Sequence, residues 1–172
     1  KNNENILVTG ANGFLGSALV RLLKQHFNVK TLVRKTSDLT NLKGQDIEVI
    51  RGDLRDKDSL IRACKGVDIV FHAAADYRLW ARYPVELYES NVTGTKNLLE
   101  IAYKSDVKKL VYTSSVATLG TNSDGSPANE ETPVAIEQMI GHYKKSKFLA
   151  EETALSFFAD TQFPIIIVNP ST

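Results

Sequence analysis

Residues 9–16, Thr9-Gly10-Ala11-Asn12-Gly13-Phe14-Leu15-Gly16, join a short β-branched run to a segment with helical period. Glycine at such a junction permits a tight turn and lets backbone N–H groups come close to an anion. A helix that starts at once then turns its positive end towards that anion. The spacing is G-x-x-G-x-x-G rather than the commoner G-x-G-x-x-G. Three glycines in a loop would be modest evidence alone; between a first strand and a first helix they predict a pyrophosphate-binding turn. The bland alternative is close packing of strand against helix. Gly10, Asn12, Gly13, Phe14, Leu15 and Gly16 are therefore candidate cofactor-binding residues.

The rest of the chain continues the alternation begun there. Strand-like apolar runs occupy residues 6–9, 29–33, 47–50, 67–71, 109–113 and 164–168. Amphipathic stretches of helix length fill 14–26, 57–64, 83–104 and 141–159. Strands that read as continuous apolar runs, separated by helices, describe a parallel sheet buried on both faces. With right-handed crossovers the expected fold is α/β: a doubly wound, Rossmann-type sheet of strand order 3-2-1-4-5-6 spanning residues 1–172. Residues 121–132 (TNSDGSPANEET) form the one soft segment and are long enough for a lid or substrate-facing loop.

Composition narrows the function classes. The 172 residues carry 21 Lys+Arg against 20 Asp+Glu, a balance unlike the basic excess of a dedicated nucleic-acid binder. Hydrophobic residues at 42% and charged ones at 24% are ordinary for a globular domain and exclude wholesale disorder. No apolar run approaches the ~18 residues of a membrane span. The N-terminal Lys-Asn-Asn-Glu-Asn leads straight into a strand, so a signal peptide is not expected. The single cysteine, Cys64, supplies neither a disulfide nor a metal cluster and fits a reducing, cytoplasmic setting. The only methionine is Met139, and the chain stops at Asn169-Pro170-Ser171-Thr172 directly after an apolar strand; both predict a piece of a longer chain.

Residues at the ends of the later strands refine the ligand. The second strand ends in Arg34-Lys35 with no carboxylate until Asp38. An acid there would accept from the ribose 2′-OH of NAD, whereas a guanidinium pairs with a 2′-phosphate, so Arg34 points to NADP, with NAD the lesser reading. The alternative is a pair of solvated loop charges. After the third strand, Asp53 could accept from the adenine amino group with Leu54 beside the ring; a turn whose Asp caps the helix at Lys57 is the competing reading. The small side chains of Ala73, Ala74 and Ala75 let the chain pass close to a cofactor ribose, while His72 is assigned no chemistry.

Tyr143 and Lys147, in Tyr143-Lys144-Lys145-Ser146-Lys147, are four apart and share one helix face. A neighbouring ammonium favours the phenolate and makes a tyrosine usable as an acid or base for an alcohol/ketone couple. An amphipathic surface helix is the bland reading of that spacing. At the end of the fifth strand, Ser114 or Ser115 could hydrogen-bond a substrate oxygen; alternation lets only one face the pocket.

With TGANGFLG (9–16), GDLRD (52–56), HAAA (72–75), NVTGT (91–95), YTSSVA (112–117), YKKSK (143–147) and VNPST (168–172) in this order, the chain resembles the extended short-chain dehydrogenase/reductases. Within them it is most similar to dihydroflavonol-4-reductase-like and hopanoid-associated sugar epimerase-like proteins, the latter on Ala74-Ala75-Asp76-Tyr77-Arg78-Leu79-Trp80. The resemblance implies a Ser–Tyr–Lys triad, with Ser115 chosen by its five-residue distance from Gly120 and Ser114 second. Tyr143 would be the proton donor or acceptor, and Lys147 would lower its pKa and hold the nicotinamide ribose. Asn91 would lie near the cofactor, unless it merely caps a helix, and Pro170 would lie against the nicotinamide. It further implies a smaller C-terminal substrate domain absent from this chain, and a homodimer formed through the 83–104 and 141–159 helices. The expected activity is an NADP-dependent oxidoreductase acting on a small-molecule carbonyl or alcohol. The alternatives are a nucleotide-sugar epimerase and a non-catalytic nucleotide sensor. Val116-Ala117 after Ser115 disfavours the family's dehydratases, and the survival of Tyr143 and Lys147 disfavours a sensor.

Overall fold

A computed structural model describes residues 3–171. The strands β1 (Asn5–Thr9), β2 (Asn28–Val33), β3 (Glu48–Arg51), β4 (Ile69–His72), β5 (Lys109–Thr113) and β6 (Ile165–Val168) form one sheet in the order β3-β2-β1-β4-β5-β6. Every pairing is parallel. The helices are α1 (Phe14–Leu23), α2 (Lys57–Cys64), α3 (Val85–Tyr88), α4 (Gly94–Lys104) and α5 (His142–Thr161).

Central β1 shows why its sequence is apolar throughout. Ile6 and Val8 pack with Val20 and Leu23 of α1 on one face, while Leu7 joins Leu60, Leu98, Leu99 and Ala150 of α2, α4 and α5 on the other. Both faces are covered, so no position tolerates a polar side chain without a partner. The expectation of burial on both faces fails at the sheet edges. Glu48, Val49 and Arg51 of β3 are exposed, as are Ile166 and Val168 of β6. An edge strand has a neighbour on one side only, and among the described residues little covers its outer face.

The chain runs outward through β1, β2 and β3, then crosses by α2 to β4 on the other side of β1. The strand order therefore reverses between β1 and β4, and loops leaving these strands diverge to open a crevice at their carboxyl ends. The segment expected as one helix over 83–104 is interrupted. Residues Glu89–Thr93 form a π-helical turn between α3 and α4. Asn91 is buried inside it, and Gly94 follows where a Cβ would lie 2.7 Å from Leu54 Cβ. A wider turn at this point brings a polar side chain inward, as π-bulges commonly do beside ligand sites. Among the described residues, no helix is long and apolar enough to cross a membrane.

Candidate functional site

A cleft of about 980 Å³ lies along the carboxyl ends of β1, β2, β3 and β4. Its wall carries Gly10, Asn12, Gly13, Phe14, Leu15 and Gly16 from the β1–α1 turn, Arg34 after β2, Asp53 and Leu54 after β3, and Ala73, Ala74 and Ala75 after β4. Twelve residues singled out in the sequence at four separate places thus line one surface.

Within the turn, backbone packs too closely for a side chain at Gly10 and Gly16. Gly10 has φ +67°, and a Cβ there would lie 2.7 Å from the N and Cα of Ala74. At Gly16 a Cβ would lie 2.1 Å from the Gly10 carbonyl oxygen. The two strand ends, β1 and β4, are therefore pressed together across the switch point, and α1 starts hard against the turn. Gly13 begins the helix without a side-chain cap, and no acid occupies the first turn. The first N–H groups of α1 are left for an external anion, which the helix dipole also favours. The Phe14 ring stands almost wholly exposed, at 95%.

The end of the cleft at β2 and β3 is shaped by hydrogen bonds within the turns. Arg51 Nη1 donates to the carbonyls of Arg34 (2.9 Å), Lys35 (3.3 Å) and Ser37 (3.3 Å), shaping the loop that carries Arg34. Asp53 accepts from the Arg55 backbone and, through both oxygens, from the Arg55 guanidinium, which holds its carboxyl below the usual range. It does not cap α2. That role falls to Asp56, which accepts from Asp58 N–H.

The remaining predicted residues assemble beside this wall rather than in it, around the ends of β5 and β6 and the start of α5. Lys147 is 2% exposed. Its Nζ donates to the Tyr112 hydroxyl (3.0 Å) and the Thr113 carbonyl (2.8 Å) and stands 4.6 Å from the centre of the Tyr112 ring. Burial pulls this ammonium down to about 8, against an opposing pull from Glu151. Tyr112 is displaced in the other direction, first by burial and then by the Glu151 charge, and stays a neutral phenol. Tyr143 lies one turn before Lys147 on α5, half-buried. Among the described residues its hydroxyl makes no hydrogen bond, so the structure joins it directly to neither Ser115 nor Lys147.

Strand alternation separates the two serines. Ser114 is buried and its hydroxyl donates to Glu151 Oε2. Ser115 is half-buried at the rim, where its Oγ accepts from Ala117 N–H (3.1 Å) and caps a short turn, Val116–Thr118. The carbonyl of Pro170 accepts from Val116 N–H (3.2 Å), which sets the β6 end beside Ser115. Asn91 caps no helix: its Oδ1 accepts from Asp76 N–H (2.7 Å), and its Nδ2 donates to the Asp76 carbonyl (2.9 Å) and to Ser146 Oγ (2.9 Å). Ser146 Oγ in turn donates to the Tyr143 carbonyl (2.8 Å).

His72 belongs to a buried relay that the sequence did not disclose. Thr95 Oγ1 donates its one proton to the Asn91 carbonyl (2.6 Å), so at 3.0 Å it accepts from His72 Nε2–H. His72 Nδ1 is then the acceptor for the Thr9 hydroxyl (2.8 Å). One tautomer satisfies every partner. Burial, followed by the nearby Lys147 charge, lowers this imidazole to about 3. It remains neutral, and hydrogen bonds run unbroken from the glycine turn to the start of α5.

Sequence reasoning also passed over Glu151 and Tyr112. Glu151 continues the four-residue spacing of Tyr143 and Lys147, a stripe visible in the sequence. Tyr112 looked like any apolar strand residue.

This parallel order, with a glycine turn at the switch point and cleft walls from four strand ends, is a dinucleotide-binding Rossmann domain. The chain belongs to the NAD dependent epimerase/dehydratase family, whose pattern matches residues 6–172. It is 46% identical over 166 residues to "Putative dihydroflavonol 4-reductase" of Synechocystis sp., covering 96% of this chain and 48% of that protein. It is 34% identical over 171 residues to the N-acetyl-alpha-D-glucosaminyl-diphospho-ditrans,octacis-undecaprenol 4-epimerase of Escherichia coli O157:H7, covering 98% and 49%. Among solved structures it matches that of gox2253 with TM-score 0.93 and 50% identity, over 99% of this chain and 52% of that one. The Bacillus anthracis dTDP-glucose 4,6-dehydratase, solved in complex with NAD, matches with TM-score 0.80 and 27% identity, over 95% and 53%. The chain spans about half the length of the curated relatives it matches.

Proposed function

We propose that this chain forms the cofactor-binding part of an NADP-dependent oxidoreductase acting on a carbonyl or alcohol of a small molecule, with Ser115, Tyr143 and Lys147 as its catalytic residues. The observation that carries the reading is Lys147: a lysine 2% exposed, pinned by Tyr112 and Thr113, one turn along α5 from Tyr143. Lysine is almost never fully buried without a partner charge or a task, and perturbed buried groups gather at functional sites.

When bound, the nicotinamide supplies the hydride exchanged with the substrate carbon. The turn 10–16 holds the pyrophosphate, Asp53 and Leu54 receive the adenine, and Ala73–Ala75 leave space for the ribose. Arg34 on the cleft wall, with no carboxylate before Asp38, favours a 2′-phosphate and therefore NADP. Tyr143 Oη gives or takes the proton at the substrate oxygen, Ser115 Oγ hydrogen-bonds the same oxygen, and the Lys147 ammonium stabilises negative charge developing there. Asn91, bonded to the Asp76 backbone and to Ser146, acts by positioning. Pro170 closes the nicotinamide end.

A second reading is supported by the similarity to a 4-epimerase: the same residues would remove and return hydride within one turnover, without net consumption of cofactor. The discriminating experiment is a turnover screen of the intact protein with NADPH or NADH against aldehydes, ketones and nucleotide sugars. Stoichiometric NADPH oxidation that disappears in Tyr143→Phe, with cofactor binding retained, is the expected result. Interconversion of sugars without NADPH loss favours the epimerase, and undiminished turnover in Tyr143→Phe refutes the assigned role.

A further inference from the structure

We propose that Glu151 is a positioning residue that clamps the Ser115 and Pro170 loops to the helix bearing Tyr143 and Lys147, and provides the counter-charge for the buried lysine. This rests on the oxidoreductase reading above. Three side chains from two strand ends converge on a single carboxylate oxygen, Glu151 Oε2: the Ser114 hydroxyl after β5, the Thr118 hydroxyl at 2.9 Å, and Asn169 Nδ2 after β6 at 3.1 Å. The knot then closes on the backbone of Ser115. Its carbonyl accepts from Thr118 Oγ1 (2.8 Å) and from Asn169 Nδ2 (3.2 Å), while Asn169 also donates to Thr118 Oγ1 (3.1 Å). Thr118 has one proton, shared between the Ser115 carbonyl and Glu151.

The clamp therefore sets where the Ser115 hydroxyl stands relative to α5, although Glu151 touches no reacting atom. All three neighbours present donors to this oxygen. Glu151 also lies one turn beyond Lys147. The groups that bear on Lys147 are Tyr112 from β5, neutral His72 from β4 and Glu151 from α5. Of these, Glu151 is the one whose charge favours the ammonium.

Two variants of the intact protein separate clamp from charge. Glu151→Gln keeps an acceptor oxygen and the chain length but removes the charge. Glu151→Asp keeps the charge and withdraws it by one methylene. The Lys147 midpoint is followed by NMR of the 13C-lysine-labelled protein, its signal assigned with Lys147→Arg, so this readout needs no substrate. In Glu151→Gln the midpoint is expected to fall by about half a unit or more, about a threefold loss of ammonium at a given pH. In Glu151→Asp it stays near the wild-type value, while kcat falls about tenfold or more and cofactor affinity stays within about twofold. An unmoved midpoint in folded Glu151→Gln overturns the counter-charge, and unchanged kcat in Glu151→Asp overturns the clamp. If Tyr143→Phe turns over like wild type, the oxidoreductase reading fails separately, and the NMR titration still decides the charge role.

Discussion

Gly16→Ala tests the packing of the β1–α1 turn most directly. The added methyl would lie 2.1 Å from the Gly10 carbonyl oxygen, 2.7 Å from Gly10 C and 2.9 Å from Ala11 Cα, all backbone atoms. Ordinary contact begins at 3.4 Å, so the helix start must retreat by about 3.4 − 2.1 = 1.3 Å from the turn. Overpacking of this kind costs about 1–3 kcal/mol. For a domain of this size, each kcal/mol lowers Tm by roughly 2–4 °C, so the melt should drop by about 2–12 °C. The same retreat carries the first N–H groups of α1 away from the pyrophosphate proposed to bind there. Hydrogen bonds near 2.9 Å do not survive an added ångström, and a loss of about 1.4 kcal/mol already weakens binding tenfold. Gly13→Ala is the control within the same motif. Its methyl would lie 3.3 Å from the Gly10 carbonyl, and its φ is −77°, which any residue adopts. Scanning calorimetry and cofactor titration of wild type, Gly16→Ala and Gly13→Ala give the comparison. A Gly16→Ala protein melting within about 1 °C of wild type, or no less stable than Gly13→Ala, refutes the argument.

Other perturbations follow from the same contacts. Arg34→Ala should remove most of any preference for NADPH over NADH, a change of roughly 10–100-fold in relative Kd if the guanidinium makes one or two charge-assisted bonds. Equal affinities in wild type would sink the NADP assignment. Arg51→Leu, which strips three carbonyls of their donor, should erode that preference without touching Tyr143-dependent turnover; an unchanged Kd ratio would show that the loop holds its shape unaided. His72 is depressed from 6.5 to about 3 on folding, so between those values the unfolded chain binds the extra proton and stability falls as pH falls. Its part of the slope is at most about 1.4 kcal/mol per pH unit, fully regained above 6.5, and should vanish in His72→Gln denaturation curves measured from pH 4 to 7. Asn91→Ala frees the Asp76 backbone and Ser146 together and should lower kcat more than it weakens the cofactor; a pure Kd effect would contradict a positioning role.

Much of the fold and half of the site were legible in the sequence, for identifiable reasons. Strands covered on both faces must be apolar without interruption, so β1 and its neighbours announced themselves. Glycine at 10 and 16 stands where backbone passes against backbone, and no other residue fits, so the turn was readable one residue at a time. Arg34, Asp53 and Ala73–Ala75 each stand within a few residues of a strand's carboxyl end, and in a parallel sheet that position alone brings them to one rim.

What depends on side chains meeting across the sheet was not legible. The sequence does not show that Ser114 turns to Glu151 while Ser115 stays at the rim, since one residue of strand register decides it. Nor does it show that Asp56, not Asp53, caps α2, because both can accept the same kind of bond. The relay Thr9–His72–Thr95–Asn91 joins residues up to 86 positions apart (95 − 9), and only the parallel pairing of β1 with β4 brings its first two members together. By itself the sequence determined a Rossmann-type α/β domain and where its glycine turn lies, because local conformation and burial period are written locally. The tertiary structure alone decided which hydroxyls, amides and charges satisfy one another around Lys147, because hydrogen-bond partners are chosen by distance in space.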